Sequence, residues 1–300
     1  MALYENQNKQ EIDPKRILER HLIGLHDIQE DIKDQRLSSQ MAQAGMRGHG
    51  LNQHASSESR HQFAKAANQY ADRLDAHEQS DAKMYASILA VLPNTIDALH
   101  KLRGGWKNAP KDYNSTMSMI RFNDTLSEII TSHPTIQPKT LIEIVRAATQ
   151  SYGYNMSIVS EMEQQTFAAL RGIKHERAFE AVLYYLPEGY KVYETTDEED
   201  KHGADFLVQC PNRVLVSVDV KSSPESAERA TVNDEVYLER HQNAKRYPHL
   251  AIFSGFTDND FDPQSPWQPG QEAILRELPR IQAALLEKST DKHSRILERV

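Results

Sequence analysis

Asp219 and Lys221 stand two residues apart at the end of the run Val214 to Lys221, and that spacing is the first chemical signal in the chain. In an extended strand alternate side chains share a face. Val214, Val216, Val218 and Val220 then line one side, while Leu215, Ser217, Asp219 and Lys221 line the other. A half-buried strand of this kind delivers a carboxylate and an ammonium side by side at its end. Asp205 opens the preceding apolar run, Phe206, Leu207, Val208, and a hairpin closing at Pro211-Asn212 folds it back beside Asp219. Two carboxylates that close repel one another, and the arrangement is cheap only with a bound cation between them or a proton on one of them.

A third carboxylate comes from the segment before these strands. Ile173, Phe179, Val182, Leu183 and Leu186 recur at helical spacing, and Glu176 lies beside that apolar stripe rather than opposite it. Glu180 has a similar orientation, and periodicity alone does not choose between the two. Lys174, His175 and Arg177 flank Glu176, as surface charge on the helix or as contacts to a nucleic-acid backbone. Ser222 and Ser223 follow Lys221 and read as turn serines that could also meet a phosphate.

The elements that position these residues follow from the same patterning. Ser160 with Glu163 has the form of a capping box, and the helix it predicts runs to about Leu186, ahead of Pro187 and Gly189. Tyr190 to Thr195, Ala204 to Cys210 and Val214 to Lys221 are predicted strands, with Asp197 to Asp200, His202 and Gly203 filling the first turn. A helix around Asp234 to Lys245, a strand from His249 to Phe253, a proline-rich loop from Pro263 to Gly270 and C-terminal helices complete the half.

Gly172-Ile-Lys-His-Glu176, Gly203-Ala-Asp205 and Asp219-Val220-Lys221, in the order helix, strand, strand, resemble the PD-(D/E)XK nuclease superfamily, which includes restriction endonucleases and Holliday-junction resolvases. The resemblance covers Ser160 to Phe256, about a third of the chain. Ala204 replaces the proline of the family motif, and Gln242 and Tyr247 are one residue too far apart for the Q-x-x-x-Y element of RecB-like members. The resemblance implies a restriction-endonuclease-like α/β domain: a helix, a three-strand meander, a helix and a strand. It further implies Asp205 and Asp219 as ligands of Mg2+ or Mn2+, the Val220 carbonyl as another, and Glu176 completing the site directly or through water. Lys221 would orient or help deprotonate the attacking water. The expected activity is hydrolysis of phosphodiester bonds, with DNA favoured over RNA and internal cleavage over end-directed cleavage. The rival expectation is a non-catalytic adaptor that keeps the nuclease-like fold while the helical half binds a protein or nucleic acid.

The first half carries a different pattern. Pro14 to Lys33 reads as an amphipathic helix, Gln35 to Ser59 as a connector, and Ser59 to Leu102 as helical with a break at Pro93. Beyond Gly104, Gly105 and Pro110, helices are predicted over Thr116 to Ser132 and Pro138 to Gln150, the latter ending near Gly153. The expected division is residues 1–155 helical, 156–262 nuclease-like and 263–300 a C-terminal loop with helices, and the helical half is a candidate homodimer surface.

Composition narrows the classes. The 300 residues are 39% hydrophobic and 26% charged, as in a soluble globular chain, and no stretch approaches the ~20 apolar residues of a membrane span. The N-terminus lacks the form of a secretory signal, so a cytoplasmic protein is expected. Cys210 is the sole cysteine, which excludes an internal disulfide and any multi-cysteine zinc site and reads as a small buried hydrophobe. His21, His26, His49, His54, His61, His77 and His100 lack ligand-type spacing. The net charge of -8 falls essentially after residue 150. An acidic domain that acts on phosphates needs cations at its site, and bound metal ions supply them.

Overall fold

The computed structural model describes residues 51, 55–73, 80–102, 113–195, 204–240 and 247–290. The expected helix Pro14 to Lys33, residues 35–50 and 52–54 of the connector Gln35 to Ser59, the punctuation at Gly104 to Pro110, the acidic turn Asp197 to Gly203 and Gln242 lie outside the described residues. The chain divides into two compact units, residues 1–167 and 168–300.

The described part of the first unit is helical. It comprises α1 (Ser57–Arg73), α2 (Ser80–Leu102), α3 (Tyr113–Ser132), α4 (Pro138–Ser151) and the start of α5 (Met156–Leu183). Its core is aliphatic and aromatic, with Phe63, Ile88, Leu89, Leu92, Phe122 and Tyr152 excluded from solvent. Each such side chain contributes roughly 1.5–3 kcal/mol on burial. Pro93 does not break α2 as expected from sequence; it lies inside that helix. Proline removes the N–H that would reach the Leu89 carbonyl four residues back. The Tyr152 hydroxyl donates to that same carbonyl instead (2.5 Å), so the helix passes through Pro93 without orphaning a buried acceptor.

α5 starts at Met156, ahead of the expected Ser160, because the Asn155 side chain accepts the Ile158 N–H (3.1 Å) and caps the helix. The boundary between the compact units falls after Phe167, within this helix.

The second unit holds a four-stranded sheet in the order β1-β2-β3-β4: β1 (Lys191–Glu194), β2 (Phe206–Gln209), β3 (Leu215–Lys221) and β4 (His249–Phe253). β1, β2 and β3 form an antiparallel meander, and β4 joins β3 in parallel. The parallel pairing requires a crossover, which α6 (Pro224–Arg240) provides. α6 begins ten residues ahead of the expected Asp234. Ser223 Oγ accepts the Ser226 N–H (3.2 Å), Pro224 occupies the first turn, and Glu225 adds a charge suited to a helix N-terminus. Ser223 is therefore a cap and not a free turn serine.

All four alternating valines of the β3 segment enter one core with Phe179, Val182 and Leu183 of α5 and Ile274, Ile281 and Leu285 of α7 (Gln271–Ser289). Residues 263–270 are not the expected loop: β5 (Phe261–Asp262) and β6 (Ser265–Pro269) pair antiparallel, with Trp267 buried. A single described helix, α7, follows them, and Pro279 lies inside it. Cys210 is buried, and burial raises its thiol pKa.

Candidate active site

The β2–β3 hairpin brings the two strand carboxylates together. The tight turn Cys210 to Arg213 closes it, with Asn212 Oδ1 accepting the Val214 N–H and Arg213 in the left-handed region (φ 66°). Phe206 pairs with Val218. Continuing that register by one residue sets Asp205 opposite Asp219, and the Asp205 N–H donates to the Val218 carbonyl (2.8 Å). The Asp205 carboxylate accepts the Val220 N–H through Oδ2 (2.6 Å). The N–H and carbonyl of a strand residue point to the same neighbour. The Val220 carbonyl therefore faces the side on which Asp205 lies.

Asp205 is half-buried as a residue, with its carboxyl turned inward. Burial, then the charges of Glu176 and Asp219, push that carboxyl well above the ordinary carboxylate range, against the Val220 N–H and Lys221. Of the two helix carboxylates, Glu176 is the one whose charge reaches Asp205, whereas Glu180 Oε1 accepts from the Tyr184 hydroxyl (3.3 Å) one turn on.

Asp219 is buried at 6% exposure and is flanked by two cations or potential cations. Lys221 Nζ lies 2.5 Å from its Oδ1, and His249 Nε2 lies 4.0 Å from its Oδ2. The other His249 nitrogen, Nδ1, bonds with Ser217 Oγ (2.9 Å), as expected for residues paired across β3 and β4. His249 escaped the sequence reading because its partner strand lies beyond a helical crossover, and a parallel register has no hairpin turn to reveal it.

Glu176, Asp205, Asp219 and Lys221 thus come within electrostatic reach of one another. Among the described residues, however, no three His, Cys, Asp or Glu side chains stand close enough to hold a metal ion as they are placed. The Lys221 ammonium holds Asp219, and the Val220 N–H holds Asp205. The donor set itself suits a hard divalent cation: carboxylate oxygens, a main-chain carbonyl and a surplus of negative charge around Asp205.

The charges around Glu176 are not the surface decoration expected from sequence. His175 is buried (8% exposed), and its Nδ1 bonds with Ser254 Oγ at 2.6 Å. Burial, with Arg171 and Lys174 nearby, lowers its pKa to about 4, so the ring is neutral at physiological pH. Lys174 pairs with Asp258 (2.6 Å) and sits over the Phe261 ring (4.1 Å). Burial lowers the pKa of Arg177, against the charges of Glu180 and Glu176.

Among the described residues no helix is long and apolar enough to cross a membrane. No protein-family model, curated protein or solved structure matches the chain.

Proposed function

We propose that residues 168–300 form a metal-dependent phosphodiester hydrolase of restriction-endonuclease-like architecture that cleaves nucleic acid, DNA in preference to RNA. The order α5, three-strand meander, α6, parallel β4 supports this reading, with acids on α5, β2 and β3 and a lysine two residues after the last acid. The observation that carries it is geometric: the β2–β3 hairpin sets Asp205 opposite Asp219, with Lys221 beside Asp219 and the Asp205 carboxylate on the Val220 N–H. Burial and the charges of Glu176 and Asp219 push the Asp205 carboxyl toward protonation, a cost that a divalent cation would remove.

Asp205, Asp219, the Val220 carbonyl and Glu176 would hold Mg2+ or Mn2+. The bound ion would polarise the scissile phosphate and lower the pKa of a water. Lys221 now compensates Asp219. Relieved of that task, its ammonium would offset charge on the attacked phosphate and orient the nucleophilic water, the electrostatic work such a displacement requires.

One observation favours a second reading, the non-catalytic adaptor: the Asp219–Lys221 pair is already complete without a metal. Incubation with linear, circular, branched and single-stranded DNA and RNA, in Mg2+, Mn2+ or EDTA, separates the two. Cleavage that requires the metal and is lost in EDTA is expected. A protein that leaves every substrate intact in both metals is the adaptor.

A further inference from the structure

The structure assigns a positioning role to the turn Arg171–His175 of α5: it fastens Glu176 at a set distance from Lys221 through two hydrogen-bonded links to the ends of β3 and β4. Arg171 and His175 are four residues apart and share one face of the helix. Arg171 Nη2 donates to the Ser222 carbonyl (3.0 Å), the residue directly after Lys221. His175 bonds with Ser254 Oγ (2.6 Å), and the Ser254 N–H donates to the Lys221 carbonyl itself (3.1 Å). Both links therefore end on main-chain carbonyls of Lys221 and its neighbour, while Glu176 follows His175 on the helix.

Apolar packing already joins this helix to the sheet one turn later, through Phe179 and Val182. Packing of that kind tolerates small slips, whereas a hydrogen bond fixes direction and distance. Ser254 is fully buried, and its Oγ also accepts the Phe256 N–H (3.4 Å), a second contact that holds the hydroxyl in place beside His175. A buried polar pair of this kind contributes little net stability over an apolar one, and geometry is what it adds.

The inference rests on the hydrolase reading above, and a comparison of full-length variants tells the two apart. Ser254→Ala and His175→Ala are expected to lower kcat roughly ten- to hundredfold, with KM within about twofold. The double variant should be no worse than the more damaged single, because both act through one link. His175→Asn places an amide where Nδ1 lies and should recover much of the loss. In calorimetry without substrate, Ser254→Ala should also weaken Mn2+ binding several-fold. Folded variants with wild-type kcat and Mn2+ affinity would overturn the positioning role alone, as would losses that track the folded fraction with no recovery by His175→Asn. Absence of cleavage by the wild-type chain would overturn the hydrolase reading and this inference with it.

Discussion

The two compact units bury different kinds of polar group. Among the described residues of the helical unit the buried polar side chains, tyrosines aside, are Ser59, Thr95, Ser115, Thr140, Thr149 and Thr166, all uncharged. Thr95, Thr149 and Thr166 each donate to the carbonyl four residues back, and the buried Tyr152 hydroxyl donates to Leu89. Such groups are satisfied within the helices that carry them and cost little to bury. In the α/β unit the corresponding set includes Asp219, Glu277 and His175. Asp219 and Glu277 are carboxylates, and burying such a charge costs several kcal/mol unless it is compensated.

Within the α/β unit a second contrast separates scaffold from site. Each Glu277 oxygen receives one guanidinium, Oε1 from Arg276 and Oε2 from Arg280, and Arg280 also caps the Phe253 carbonyl. Gly255, at φ 87°, passes beside this group where any side chain would strike the Glu277 carboxylate. That charge is fully matched and holds α7 to the end of β4. Among the described residues the Asp205 carboxylate has the Val220 N–H and the Lys221 charge against two neighbouring acids. The Glu277 charge is matched where it stands, whereas Asp205 is pushed toward protonation by burial and by Glu176 and Asp219, against the Val220 N–H and Lys221.

The largest expected effect lies on the site side of this contrast. Lys221→Ala should reduce metal-dependent cleavage by roughly 10²–10⁴-fold while Mn2+ still binds, measured by single-turnover cleavage beside calorimetry. Cleavage within threefold of wild type would remove Lys221 from the chemistry. In the helical unit the effect should be on stability alone. Tyr152→Phe leaves the Leu89 carbonyl without the donor that Pro93 cannot supply, at a cost of about 1–3 kcal/mol in denaturant unfolding. Pro93→Ala restores an N–H, so the same tyrosine change should cost distinctly less in that background. Equal costs in both backgrounds would break the link between the two residues.

The smallest effect has the opposite sign. Because the folded protein holds the Asp205 carboxyl above its unfolded value, it binds more protons over the interval between the two. Stability is therefore greatest below the unfolded value, falls as pH rises through that interval, and stays reduced above it. Asp205→Asn removes this penalty and keeps an acceptor for Val220. Without divalent metal it should raise stability near neutral pH by about 1 kcal/mol, a few degrees in Tm, with no gain at strongly acid pH. A variant less stable than wild type at neutral pH would show that Asp205 is not under this strain.

What could be read from sequence was local. The period of two in Val214 to Val220 placed one face in the core, and Pro211-Asn212 fixed the hairpin that sets Asp205 opposite Asp219. The start of α6 was missed although Ser223-Pro224-Glu225 is a helix opening, because the turns that follow hold few apolar residues. Pro263, Pro266 and Pro269 read as a loop, yet the short β5–β6 ribbon accommodates them and buries Trp267. Pro93 read as a break because its rescue comes from Tyr152, far along the chain. The pair His175–Ser254 spans 79 residues and joins a helix to a strand end, so no spacing rule could reveal it. The choice between Glu176 and Glu180 likewise depends on how α5 is rotated against the sheet, which periodicity leaves open to within a turn.

The account turns on whether the charge gathered at Asp205 and Asp219 is there to receive a cation. Calorimetric titration of the full chain with Mn2+, repeated across pH and on Asp219→Ala, tests this directly. Saturable uptake that strengthens as pH rises past the raised Asp205 value and disappears in Asp219→Ala is the predicted result. No uptake at neutral or mildly alkaline pH, or equal uptake by wild type and Asp219→Ala, would contradict it.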